Sequence, residues 1–178
     1  DQPRSRGLGD VYKRQVLQTF EKDSLKELQK EMPNTPKILL LWVGPGSIEP
    51  KSAQTFAESG ETTKAAYYAK QEPKDAAEFE KWVDEAKSLG AIGTGPSAEL
   101  TNHGDQSYTD LVKPEMNKLT HDKGLLVHVY TVDEPVDFEK VMKAGVDGIF
   151  TNRAAELLKF YKRWPSSSVQ DLLKDNGY

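Results

Sequence analysis

The residues able to do acid–base or metal chemistry are few. The chain carries three histidines and no cysteine, which removes a cysteine nucleophile, thiolate metal sites and a disulfide scaffold. His103 shares a polar loop with Asp105 and could touch a ligand, but no third donor stands at a recognisable metal spacing. His121 falls near the end of a helical pattern, where it suits the helix dipole and solvent. His128 alternates with Tyr130 inside an apolar run, so both share one face of a strand, with Val127 and Val129 on the other. Gly-Pro-Gly at 44–46 and Gly-Thr-Gly at 93–95 lack the spacing of phosphate-binding loops and read as turns.

Composition narrows the classes further. Hydrophobic residues make up 37% and charged residues 29% of 178 positions, enough for one domain with a core. The net charge of -4, with no Lys/Arg stripe, argues against nucleic acid as a partner. No apolar run has the length of a membrane span.

The elements that must position these side chains begin at residue 16. Residues 1–15, DQPRSRGLGDVYKRQ, are basic and have no helical or strand period. GLGDVYKRQ resembles translated sequencing-adapter sequence, so the segment reads as a non-native leader, the alternative being a disordered basic arm. From there strands and helices alternate. Strands are expected at 16–20, 38–42, 91–93, 126–132 and 147–151, the second a continuous apolar run suited to burial on both faces.

Capping residues and periodicity give the helices between the strands. Ser24 and Glu27 stand at capping-box spacing, Asp75 caps the helix carrying Phe79, Trp82 and Val83, and Pro114 and Pro135 open two more. Asn152 caps the helix through Leu157 and Leu158. An insertion over 44–72, rich in Gly, Ser, Thr and Pro, breaks the rhythm as a binding loop, a lid or a mobile excursion. The domain runs over 16–164, and 165–178 reads as a linker with a short helix near Val169–Leu173.

Five strand–helix units imply an α/β architecture with a parallel sheet. A closed (β/α)8 barrel takes about 250 residues, so this length suits roughly the last five units of a TIM-type barrel, open rather than closed.

Two segments carry a family resemblance. Leu125–Asp133, LLVHVYTVD, followed by a Pro-started helix and Gly145-Val146-Asp147-Gly148-Ile149-Phe150-Thr151-Asn152, resembles the closing strands of the glycerophosphodiester phosphodiesterases. Val16–Glu21, VLQTFE, is similar to a mid-barrel strand of that family. Tyr130 stands where the family more often has Trp, and Asn152 and Glu21 replace its usual Asp residues.

The resemblance implies hydrolysis of glycerophosphodiesters to glycerol 3-phosphate and an alcohol, assisted by Ca²⁺ or Mg²⁺. The family's His-Arg-Gly strand does not occur in this sequence, so the resemblance assigns it no catalytic residue and no metal ligand. It therefore implies an inactive portion of a longer enzyme, binding no cation by itself. Tyr130 and the long insertion are similar to the larger periplasmic or secreted members. A different phosphate-binding barrel enzyme and a non-catalytic binding protein remain the rival readings.

In such a barrel the C-terminal ends of strands surround the active-site mouth. Tyr130 is thus the candidate to line the substrate pocket, or else a core aromatic, while His128 lies a layer deeper as a hydrogen-bonded core histidine. Gln18 and Phe20 face inward on the same logic, as a polar contact and a wall. Trp42 ends its strand and either lines the mouth or anchors the loop that follows.

Overall fold

The computed structural model describes residues 15–44 and 47–163, with 168, 170, 171 and 174 beyond them. Residues 1–14 and most of the expected tail helix lie outside the described residues. Five strands form one sheet in the order β1 (Leu17–Thr19), β2 (Lys37–Leu41), β3 (Gly93–Pro96), β4 (Leu126–Val129) and β5 (Gly148–Ile149). Every neighbouring pair is parallel, with Leu39 opposite both Thr19 and Thr94, and His128 opposite Gly148. The connecting helices are α1 (Lys22–Glu31), α2 (Lys64–Gln71), α3 (Ala76–Ser88), α4 (Pro114–Asp122), α5 (Pro135–Lys143) and α6 (Ala154–Phe160). Spatial order equals chain order, and the first and last strands do not meet. The architecture is an open partial barrel of five units.

The sequence explains the layering. All five residues of β2 are buried, because Leu39 and Leu41 face the helices while Ile38 and Leu40 face the inner, concave side. The helix side holds two apolar clusters. One joins Leu25, Leu39, Phe79, Val83 and Met116, and the other joins Val129, Val132, Phe138 and Val141. The inner side holds Ile38, Leu40 and Tyr130, with Val16, Phe20, Trp42 and Phe150 packed on them and only half-buried.

Turn chemistry closes each unit. Asp75 accepts the Glu78 N–H at 2.9 Å at the start of α3, and Pro114 and Pro135 sit in the first turns of α4 and α5. Gly90, Gly124 and Gly145 follow α3, α4 and α5 with φ of 82°, 78° and 85°, a conformation side chains resist. Lys37 is buried, and its ammonium donates to the carbonyls of Met32 and Thr35 at 2.5 and 2.7 Å. It therefore stands at the negative end of α1, and burial pushes its pKa down.

Three expectations are corrected. Gly93-Thr94-Gly95 is not a turn but most of β3, so the third strand lies over 93–96 rather than 91–93. A Cβ at Gly93 would sit 2.5 Å from the Leu126 carbonyl oxygen, and one at Gly95 2.5 Å from Leu40 Cδ2. The glycines are there for close packing, which strand propensity does not register. Ser24 lies inside α1, whose cap residue is Glu21 with no side-chain cap bond. Asn152 does not cap α6 either, since Arg153 holds that position and Asn152 instead donates its amide to Asp133.

Candidate functional site

The C-terminal ends of the strands meet at a concavity of about 480 Å³. Trp42, Leu100 and Tyr130 form its apolar wall, and Asn102, Gly104, Asp105, Gln106, Ser107 and Thr131 its polar one. Tyr130 follows β4, 6% exposed, and its hydroxyl donates to the Leu41 carbonyl at 3.1 Å. Burial drives its pKa well above the usual phenol value. Phe20 meets the Tyr130 ring edge-on with centroids 5.3 Å apart, a favourable arrangement of the two quadrupoles. The Trp42 indole lies over Gly44, where a Cβ would come within 2.3 Å of its ring.

Three of the four candidate pocket residues therefore converge. Phe20, Trp42 and Tyr130 belong to one inner cluster, whereas Gln18 is exposed and lines a separate groove with Thr19 and Ser24, Glu27 and Leu28 of α1. His128 lies below Tyr130 on the inner side, half-buried, its ring against Gly148 and 6.0 Å from Phe150. Burial lowers its pKa against the pull of Asp147. His103 and His121 are exposed. His121 Nε2 lies 2.8 Å from Asp147 Oδ2, which also accepts the Val127 N–H at 2.8 Å. That group pins the entry ends of β4 and β5, the side of the barrel opposite the mouth.

The polar wall is the segment sequence reading placed least well. It follows β3, which ends at Pro96 rather than at residue 93, and its place in the wall is set by anchors far away in sequence. Two anchors fix it from the β4 side. Asp137, 5% exposed at the start of α5, accepts the Thr101 N–H and hydroxyl at 3.0 Å each. Asn102 donates to Glu134 at 3.1 Å, and Glu134 also pairs with Arg153 at 3.2 Å. The loop after β5 is held likewise. Asp133 accepts the Thr151 hydroxyl and both the backbone and side-chain N–H of Asn152, at 2.7–3.0 Å.

The donor set does not fit a divalent cation. Asp105 is the carboxylate of the mouth, and it is paired with Lys64. Among the described residues no three His, Asp or Glu side chains converge. No cationic side chain lines the concavity either. What the arrangement can do is hold a small polyol or alcohol group between aromatic faces and hydrogen-bonding groups.

These features define a parallel α/β half-barrel with a pocket at the strand C-termini, the geometry of TIM-barrel enzymes. The chain belongs to the glycerophosphoryl diester phosphodiesterase family, whose sequence profile matches residues 6–156. It is 27% identical over 137 residues to a glycerophosphodiester phosphodiesterase of Bacillus subtilis (strain 168), covering 77% of this chain and 33% of that protein.

Similar crystal structures include the following two. A glycerophosphoryl diester phosphodiesterase from Silicibacter pomeroyi DSS-3 has a TM-score of 0.48 and 20% identity, over 86% of this chain and 40% of that one. A glycerophosphodiester phosphodiesterase from Parabacteroides distasonis ATCC 8503 also has a TM-score of 0.48, with 22% identity over 86% and 46% of the two chains. The chain thus spans about a third of the length of the curated relative it matches.

Proposed function

We propose that this chain forms the C-terminal part of a phosphoric diester hydrolase that converts glycerophosphodiesters to glycerol 3-phosphate and an alcohol. The observation carrying the proposal is the concavity walled by Trp42 and Tyr130 at the strand C-termini of a family member. Among the described residues its lining is aromatic and polar without a cationic side chain, which suits the alcohol or glycerol end of a small-molecule substrate. Phosphate and the Ca²⁺ or Mg²⁺ that the family uses would rely on groups outside the described residues. We infer that the chain by itself is inactive, because its sequence lacks the family's His-Arg-Gly strand. Its similarity to the larger family members favours a periplasmic or secreted setting.

Choline release from glycerophosphocholine tests this. The 178-residue chain should stay at background with Ca²⁺ or Mg²⁺. A barrel completed by the N-terminal units of the Bacillus relative should release choline, and a chelator should abolish it. Chelator-sensitive release by the chain alone would sink the inactivity. A folded, completed barrel that binds glycerophosphocholine without cleaving it would replace the hydrolase reading with a non-catalytic binder.

A further inference from the structure

We propose that residues 54–72 of the insertion form a brace that sets the position of the polar pocket wall, Asn102 to Ser107, with Lys64 and Tyr68 as its positioning residues. The proposal rests on reading the concavity as a substrate pocket.

The wall is gripped from the insertion side by rings and charge. His103 stacks on Tyr108 with centroids 4.7 Å apart and planes 11° from parallel. Tyr108 in turn stacks on Tyr68 of α2 at 6.3 Å and 8°. Lys64, one turn earlier on α2, pairs with Asp105 and places its ammonium 5.8 Å from the Tyr108 centroid. The far side of the insertion supports α2. Tyr68 meets Tyr67 at 5.2 Å, Tyr67 meets Phe56 at 5.9 Å, and the Tyr67 hydroxyl donates to the Gln54 carbonyl at 2.6 Å.

A second clamp closes the other end. Glu72, just past α2 and 7% exposed, pairs at 3.1 Å with Lys113, the cap residue of α4. Burial raises the Glu72 pKa, and Lys113 opposes that shift. The segment from Asp105 to Lys113 is thus bound at both ends by one short helix.

Magnitudes separate bracing from holding the fold together. An aromatic pair and an exposed ion pair each contribute little beside a packed apolar cluster. Losing either leaves the two apolar clusters of the sheet untouched, so the barrel should stand while the wall moves. A displaced wall changes the width of the pocket between Trp42 and Asp105, where the alcohol or glycerol end of the substrate would sit.

Amide NMR spectra of the labelled full chain, with glycerophosphocholine titrated as probe, test the brace. Tyr68→Ala and Lys64→Met should each shift the amides of 102–107 while those of β2 and β4 stay in place. Each should also weaken probe binding roughly tenfold, equivalent to about 1.4 kcal/mol. Tyr68→Phe keeps the stack and should keep both properties. Combining Lys64→Asp with Asp105→Lys should bring the wall amides back toward their original positions. Unmoved wall amides in both single variants would overturn the brace. If the unaltered chain binds no probe, the substrate-pocket reading fails, and the wall amides still decide the brace.

Discussion

Tyr130 is held by two constraints whose energies differ. Its ring is part of the inner cluster and stands edge-on to Phe20, while its hydroxyl has one backbone acceptor, the Leu41 carbonyl. That carbonyl also accepts the Ser97 N–H at 2.9 Å, so it keeps a partner when the hydroxyl is removed. Tyr130→Phe should therefore cost only about 1 kcal/mol at pH 7. Tyr130→Ala removes the ring as well and should cost about 3 kcal/mol.

The raised phenol pKa adds a pH signature. A pKa higher in the folded state gives stability that is fully present below the unfolded value, about 10, and is lost as pH rises toward the folded one. Urea unfolding at pH 7 and pH 10.5 should show the unaltered chain losing more stability than Tyr130→Phe. Equal losses would mean the phenol is not desolvated.

Asp133 carries the opposite sign. Burial pulls its pKa up, but Asn152, Thr151 and the charge of Arg153 outweigh burial and leave it below the ordinary 3.8. Its contribution is present above that value and disappears as pH falls through the lower, folded pKa. Asp133→Ala should cost about 1–2 kcal/mol at pH 6 and less once the pH has fallen through the lowered folded pKa. Denaturation midpoints across that range would check it, and a cost independent of pH would assign the effect to packing.

At the scale of elements, β3 shows where the sequence was legible and where it was not. β2 and β4 announce themselves through apolar runs and alternation, and the Pro and Gly punctuation places α3, α4 and α5 correctly. β3 is built from Gly, Thr, Gly and Pro, residues that report turns when read locally. Their strand identity depends on what lies beside them, Leu126 on one side and Leu40 on the other. The inner-face placement of Phe20, Trp42 and Tyr130 was readable because alternation and strand ends suffice for it. The polar wall was readable only as a polar loop, because the groups that hold it in place, Asp137, Glu134 and Lys64, lie far away in sequence.

Packing around β3 also ranks its glycines. A Cβ at Gly93 meets backbone, the Leu126 carbonyl, whereas one at Gly95 first meets the flexible end of the Leu40 side chain. Gly93→Ala should cost about 2–3 kcal/mol and Gly95→Ala about 1 kcal/mol, read from urea midpoints. The reverse order would mean that β3 and β4 can separate more easily than the sheet can repack.

For the whole molecule, the open barrel divides its apolar surface unequally. Leu39 is 1% exposed among Phe79, Val83 and Met116 on the helix side, where atoms surround it in every direction. Phe150 and Phe20 sit on the concave side, half-buried, with the sheet beneath them and its first and last strands unpaired to each other. Truncating a buried Leu removes its transfer energy and leaves a cavity, about 2–5 kcal/mol in total. Truncating a side chain already half in water removes little of either, since solvent fills the space. Leu39→Ala should thus cost about 3 kcal/mol and Phe150→Ala about 1 kcal/mol or less, measured by urea unfolding at low protein concentration. If Phe150→Ala costs as much as Leu39→Ala, something covers the concave face in solution. Repeating the measurement over a hundredfold range of concentration would show whether that cover is a second copy, because only then does the Phe150→Ala penalty shrink on dilution.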